Sequence, residues 1–491
     1  MLSADLTICV DFGSTFTKAS LVDLTEGRIV AAAEHPTTLP SASGEGDVLD
    51  AYDACLAALV ATEPRAADAT VLACSSAGGG LRIAVVGNEE LVTAEAGRRV
   101  ALSSGGKVVG VVAAGASRVL RDGSSLASSG TMPQPAVYRD LRQTTRPDVV
   151  LLTGGTDGGN SEVLLRAARD LVDSGWSGPV VVAGNVEAAA EVAAVLADVP
   201  HVVTDNVVPR IGVLEPAGAR AAIREVFLSH VIGGKHLSSR TTARGDAFVE
   251  MVRGATPDVV LTGVELLANG LDSERPGAGD VVVVDVGGAT TDVHSVVEVD
   301  PEDAGLSREV VATTPVTRTV EGDLGMRWSA LSTVEADAEP GAGPDEELLA
   351  AARRRTEDPG FLPTTDAELD ADEAIARAAV GLALRRHAGR SKVVVGPSGR
   401  VVERSGKDLR EVDLLVGSGG VLRHGREGVA ERVLAGSVGA DLEGGWQLPE
   451  RARVVVDTAY VLAAVGLLAD AHPEAAYRLA RRLIDPVAHL V

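Results

Sequence analysis

The sequence predicts an α/β protein in which parallel strands alternate with helices. Residues 147–204 contain PDVVLLTGG, NSEVLLRAARDLV, PVVVAG, VEAAAEVAAVLA and HVVT, a β-α-β-α-β alternation of apolar strands and amphipathic helices. Four consecutive valines at 281–284 describe a strand buried on both faces, as in the middle of a sheet. With 491 residues the chain has room for two or more domains.

The other elements follow from local pattern. Residues 6–10 form a short apolar strand ending in DFGSTFTK, and 19–34 continue it as a hairpin. Residues 49–61 read as an amphipathic helix, and 71–87 as strand, glycine turn, strand. Residues 89–102 and 107–120 mix helical and strand patterns, and 215–231 read as helical. TPDVVLTGVELLANG (256–270) opens with Pro and closes with Gly, the start and stop signals of a helix. Residues 335–372 are acidic and rich in Pro and Gly around a short Ala/Arg helix, so a solvent-facing insertion is expected. A helix over 373–387, a hairpin at KVVVGPSGRVVER, a strand-to-turn at VDLLVGSGGVLRHG and two final helical runs complete the chain.

Composition narrows the function. A net charge of -24 argues against a nucleic-acid partner, which needs a basic surface, but leaves room for a nucleotide in a local pocket. Cys9, Cys55 and Cys74 are far apart with no Cys-x-x-Cys, which fits a reducing compartment and gives no support for a zinc or iron–sulfur site. No signal peptide and no membrane-spanning run is visible, so a cytoplasmic location is expected.

Three turns share one design. DFGSTFTK (11–18), DVGGATTD (285–292) and VGSGGVL (416–422) each follow an apolar strand and offer small residues whose backbone N–H groups can face an anion. Asp11 and Asp285 end the first two strands and are placed to hold a hydrated Mg²⁺ against a polyphosphate. Gly13, Ser14, Thr15, Thr17, Gly287, Gly288, Thr290 and Thr291 are the candidate phosphate-contacting residues. Lys18 can neutralise charge on a transferred phosphoryl group.

In order and content these motifs resemble the actin, Hsp70 and sugar-kinase ATPases. The resemblance implies a two-lobed actin-like (ribonuclease H-like) α/β fold with an inserted βαβαβ region. DFGSTFTK becomes the first phosphate motif, DVGGATTD the second, and Gly417, Ser418, Gly419 and Gly420 the adenosine motif. The implied division is lobe I over 1–280 with the insertion at about 147–205, lobe II over 281–425, and C-terminal helices over 426–491 returning to lobe I. LLTGGTDGGN (151–160), VDVGGATTDVHS (284–295) and RTVEGDLGMR (318–327) are closer still to the MutL/GlmL family. That family serves coenzyme-B12-dependent glutamate mutase, is related to hydantoinase A, and shares only a name with a DNA mismatch-repair protein.

This resemblance implies a Mg-dependent ATPase that binds ATP/ADP and acts as a reactivating chaperone for coenzyme-B12-dependent mutase subunits. A small-molecule kinase and a slow-turnover actin-like scaffold are the alternatives on the same frame. Some residues carry two readings. Asp292 either orients the attacking water or bonds within its own turn. Glu321, with Asp323, either touches ribose or magnesium or caps a helix. GGTDGGN either binds an anion or is a glycine turn stiffened by Asp and Asn. His294 reads as structural, and Arg385, Arg386 and His387 as a solvated helix end.

Overall fold

The computed structural model describes residues 5–40, 46–88, 90–113, 118–120, 134–299, 314–338, 343–396 and 399–484. Two five-stranded sheets repeat one topology. In the first, the order is Val252–Ala255, Thr70–Ser75, Leu6–Phe12, Phe16–Asp23, Arg28–Pro36. In the second, it is Arg453–Val456, Leu414–Ser418, Val281–Val286, Thr291–Val296, Val316–Glu321. In each sheet the first three strands in chain order run antiparallel to one another, and the last two join parallel on the other side of the first. Helical structure separates the third and fourth strands of each sheet, Val48–Thr62 in one and Ala330–Asp337, Glu346–Glu357 and Asp366–His387 in the other. The sequence shows no matching repeat, because only backbone topology is shared.

The valine run shows how this frame is held. Val282, Val284 and Val286 face the core beneath Asp366–His387, with Ile375, Ala379 and Val380. Val281 and Val283 face the opposite way, into a core that also contains Cys9 and Cys74 of the first sheet. Period-2 alternation therefore serves two different apolar layers, so every position must be apolar. The shared layer is filled by the helices that follow each fifth strand, Thr256–Asn269 and Val461–Leu468.

Those two helices cross at glycines. A Cβ on Gly263 would lie 2.3 Å from the Leu462 carbonyl oxygen, and one on Gly466 would lie 1.9 Å from that of Val259. Both obstacles are backbone, so neither can yield by a rotamer change. Gly466→Ala is expected to force the helices apart and cost about 1–3 kcal/mol, the usual range for an overpacked core. Urea denaturation measures it.

Between Thr70–Ser75 and Val252–Ala255 the chain leaves to build a third, six-stranded sheet. Its order is His201–Val203, Val180–Val182, Val149–Leu152, Leu81–Gly87, Gly106–Ala113, Arg118–Leu120, parallel except for the last pair. The β-α-β-α-β elements at 149–203 are one side of this sheet; Leu81–Gly87 lies at its middle. The stretches that mix patterns resolve into helix Glu95–Ser103 and strand Gly106–Ala113.

Two surface expectations are corrected. Helix Glu346–Glu357, inside the acidic segment, buries Ala351, Ala352 and Arg355. Arg355 is fully buried, donates to Asp372 Oδ1 at 2.5 Å and to the Ala351 and Glu368 carbonyls, and lies over the Phe361 ring. An arginine in an Ala/Arg run gives no local sign that it will be the pin between two helices. Likewise His387 is buried, with Nδ1 2.9 Å from Thr319 Oγ1 and Nε2 2.8 Å from Ser295 Oγ.

Burial lowers the His387 pKa from 6.5 to about 3, with the Lys407 and His294 charges adding to the shift. The folded state keeps this imidazole neutral while the unfolded chain protonates it. Its contribution is complete above pH 6.5 and is lost as pH falls towards 3, at up to about 1.4 kcal/mol per pH unit. His387→Gln should flatten that acid limb in denaturation curves recorded across the window.

Candidate functional site between the two sheets

The faces of the two first strands that look towards the shared apolar layer end in carboxylates. In Leu6–Phe12 the row runs Cys9 then Asp11; in Val281–Val286 it runs Val281, Val283 then Asp285. After each aspartate the chain makes the same turn. Gly13 N–H donates to Phe16 O at 3.2 Å, and Gly287 N–H to Thr290 O at 2.9 Å. A Cβ on Gly13 would lie 2.5 Å from Phe16 O and one on Gly287 2.9 Å from Thr290 O, so both turns require glycine. Across these hairpins Asp11 faces Lys18 and Asp285 faces Asp292.

Strand parity then sorts the remaining candidates. Ser14 and Thr15 are exposed at the turn, and Gly288 and Thr290 are partly open. Thr17 is different: it lies opposite Phe12, is fully buried, and its hydroxyl meets Thr37 Oγ1 at 3.0 Å. Thr291, its counterpart, is fully buried and donates to Leu324 O at 3.1 Å. Both hydroxyls face the interior of their own lobe, so they brace the turns instead of lining the space between the two carboxylates.

Asp11 is buried and doubly held. Thr256 Oγ1, at the start of helix Thr256–Asn269, donates to Oδ1 at 2.5 Å, and the Tyr460 hydroxyl donates to Oδ2 at 2.9 Å. Asp285 is half-buried beside Ser418, whose hydroxyl it accepts. Burial raises its pKa; Lys18 and Ser418 oppose the shift, while Asp292 and Asp11 reinforce it. The electrostatic reach of Asp11 and Lys18 to Asp285 joins the two lobes at this point.

The turn at 285–292 is braced from behind. Met326 N–H donates to Gly287 O and Arg327 N–H to Gly288 O, at 2.9 and 2.7 Å. Asp292 accepts two bonds from Arg318 on Oδ1 and one from Thr290 on Oδ2, so its carboxylate is engaged within the protein. Glu321 and Asp323 both pair with Arg386, which makes that arginine an anchor for the Gly/acidic turn and not a free helix end. Gly417 and Ser418 end the strand Leu414–Ser418, Gly419 packs against the Val286 carbonyl with φ 115°, and Gly420 is open.

Residues 154–160 form a closed turn. Asn206 Nδ2 donates to Gly155 O and Asp157 Oδ1, Asn185 Nδ2 donates to Gly159 O, and Asp157 Oδ1 also accepts from Val186 N–H. This bonding satisfies the stiffened-turn reading. Tyr460, Thr256 and Arg318 are site residues that motif reading misses. Each acts across an element or lobe boundary that a linear pattern does not contain.

A sequence profile described as MutL protein matches residues 7–484. The chain belongs to the MutL protein family. Protein MutL of Clostridium tetanomorphum is 34% identical over 498 residues, covering 98% of this chain and all of that one. Against solved structures the MutL chain shows remote similarity. Nucleotide-free acetone carboxylase is 15% identical over 95% of this chain and 70% of its own, with a TM-score of 0.38. The ethanolamine utilization protein EutJ of Carboxydothermus hydrogenoformans is 11% identical over 99% and 91%, with a TM-score of 0.29. Gluconate kinase of Lactobacillus acidophilus is 12% identical over 98% and 89%, with a TM-score of 0.31. Among the described residues of this MutL-family chain, no helix is long and apolar enough to cross a membrane.

Proposed function

We propose that this MutL-family protein binds ATP and ADP between its two five-stranded sheets and hydrolyses ATP there. The observation that carries the reading is the pair of matching turns, each an aspartate, a tight glycine and small polar residues, that end the central strands of two sheets with one topology. Backbone N–H groups at 14–15 and 288–290 are suited to phosphate oxygens, and the 417–420 turn to the nucleoside.

Mg²⁺ fits the donors present. Asp11 and Asp285 offer oxygen only, and no group of three His, Cys, Asp or Glu side chains converges among the described residues. Such a site suits an ion that keeps its waters and takes one or two carboxylates plus phosphates. When bound, it would supply charge neutralisation for the phosphates. Lys18 would stabilise charge on the γ-phosphoryl, and the sheets would exclude bulk water as they close.

The cellular role we propose is an accessory, reactivating chaperone for a coenzyme-B12-dependent mutase, in which hydrolysis moves the lobes and works on the partner. Family membership supports this role. Steady-state ATP hydrolysis by the full-length protein, with and without mutase subunits, tests it. A rate stimulated by the mutase is expected. A rate unaffected by mutase and raised instead by a metabolite, or polymerisation with ATP, would reject the chaperone role.

A further inference from the structure

Tyr460 touches both members of the Asp11–Lys18 pair from the point where the last strand of the second sheet passes into the shared helical layer. It follows strand Arg453–Val456 of the second sheet and immediately precedes helix Val461–Leu468. Its hydroxyl donates to Asp11 Oδ2 at 2.9 Å, and its ring lies 3.6 Å from the Lys18 ammonium, a close cation–π contact. The Arg423 guanidinium lies 5.6 Å from the same ring. Because Asp11 and Lys18 are directly opposed across their hairpin, one phenol fixes both.

The backbone at Tyr460 is left-handed, with φ 56° and ψ 45°. A bulky non-glycine residue stays in that region only where its surroundings over-determine it. Here Asp457 sets the approach: its carboxylate accepts from Val461 N–H at 2.7 Å and Leu462 N–H at 3.1 Å, capping the helix one residue beyond. Burial and the facing carboxylates of Asp11 and Asp285 raise the phenol pKa, so the hydroxyl stays a donor throughout the working pH range. The charged and titratable groups facing it are Asp11, Lys18, Asp285, Cys74 and Arg423.

We infer that Tyr460 is a positioning residue for nucleotide hydrolysis, set where the two sheets meet and aligning Asp11 and Lys18 together. The inference rests on the nucleotide-site reading proposed above. Thr256, which opens one of the two crossing helices, holds one oxygen of Asp11, and Tyr460, which precedes the other, holds the second. The pair is therefore organised from both crossing helices at once.

Two substitutions separate the two contacts. Tyr460→Phe keeps the ring over Lys18 and removes the bond to Asp11; Tyr460→Leu removes both. Purified full-length protein is first titrated with Mg·ADP, then assayed for ATP turnover over a range of Mg²⁺ concentrations. Tyr460→Phe should leave KM for ATP nearly unchanged, lower kcat roughly tenfold, the scale of one hydrogen bond to a charged group, and raise the Mg²⁺ needed for half-maximal rate. Tyr460→Leu should also raise KM. Melting temperatures near that of the parent confirm that each variant is folded. A purely structural role would lower the melting temperature without this division between kcat and KM.

If the parent binds Mg·ADP and Tyr460→Phe matches it in kcat and Mg²⁺ dependence, the inference is overturned and the nucleotide site stands. If Tyr460→Leu matches it in KM, the Lys18 contact has no positioning role. If the parent itself binds no nucleotide, the site reading fails and takes this inference with it.

Discussion

Asp285→Asn should lower ATP turnover by about a hundredfold or more while leaving the fold as stable as before or slightly more so. The two effects have one cause. Asp285 sits at the end of an apolar row, where burial disfavours its charged form and raises its pKa. Asparagine is the same size, keeps the bond with Ser418 and removes that desolvation cost. What it also removes is the negative charge facing Asp11 and Lys18 across the cleft, which the proposed site needs for a hydrated cation. Loss of one preorganised electrostatic group in such a site typically costs about 10²–10³ in kcat.

The raised pKa adds a pH signature. Asp285 gains its proton at a higher pH than an ordinary carboxylate does, so Mg-nucleotide binding should weaken on acidification at a higher pH than an ordinary carboxylate would give. Turnover assays and calorimetry across the acid range, paired with thermal melts of Asp285→Asn, check each part. An asparagine variant that turns over normally would contradict the assignment of Asp285.

Arg318→Ala should destabilise the protein by about 3–5 kcal/mol, the cost of leaving one partner of a buried ion pair uncompensated. Arg318 is 4% exposed and spends its donors in two directions. Nε and Nη2 grip Asp292 Oδ1 at 3.0 and 2.5 Å, while Nη1 donates to the Leu102 and Gly106 carbonyls at 3.1 and 3.3 Å. The first contact is to the 285–292 turn. The second is to helix Glu95–Ser103 and to the start of strand Gly106–Ala113 in the six-stranded sheet. Removing the guanidinium leaves the Asp292 carboxylate without its cationic partner and the two carbonyls without this donor. Arg318→Lys keeps the charge but not the fork, and should fall between the parent and alanine. Chemical denaturation of the three proteins gives the ranking. Equal midpoints would mean that this contact contributes nothing.

How much of this was legible in the sequence depends on how local each feature is. The α/β class followed from apolar periodicity, and the Pro-to-Gly helix was placed at 256–270 where Thr256–Asn269 is found. Asp11, Asp285 and their glycine turns were visible because a strand ending in Asp-x-Gly is a pattern within a few residues. The orientation of Thr17 and Thr291 was not, since it depends on which residues oppose one another across each hairpin. With register known, parity puts Lys18 and Asp292 on the carboxylate side and both threonines on the other. The solvated reading held for the exposed Arg386 but failed for His387, because its partners, Thr319 and Ser295, lie on strands more than sixty residues away.

The six-stranded sheet shows the same limit at larger scale. Its later β-α-β-α-β run is regular enough to recognise, yet Leu81–Gly87, which joins that run to Gly106–Ala113, is separated from its neighbour Val149–Leu152 by more than sixty residues. Tyr460 was hidden in a helical-looking stretch, because neither a left-handed residue nor a bond to a carboxylate 449 positions earlier leaves a local trace.

Calorimetric titration of the full-length protein with ADP, in the presence and absence of Mg²⁺, bears most directly on the central claim that the facing turns at 11–18 and 285–292 grip a nucleotide through a hydrated cation. Saturable heat close to one nucleotide per chain, sharply weakened by chelating the Mg²⁺, is the expected result. No heat with Mg·ADP, or a titration that chelation leaves unchanged, would contradict it.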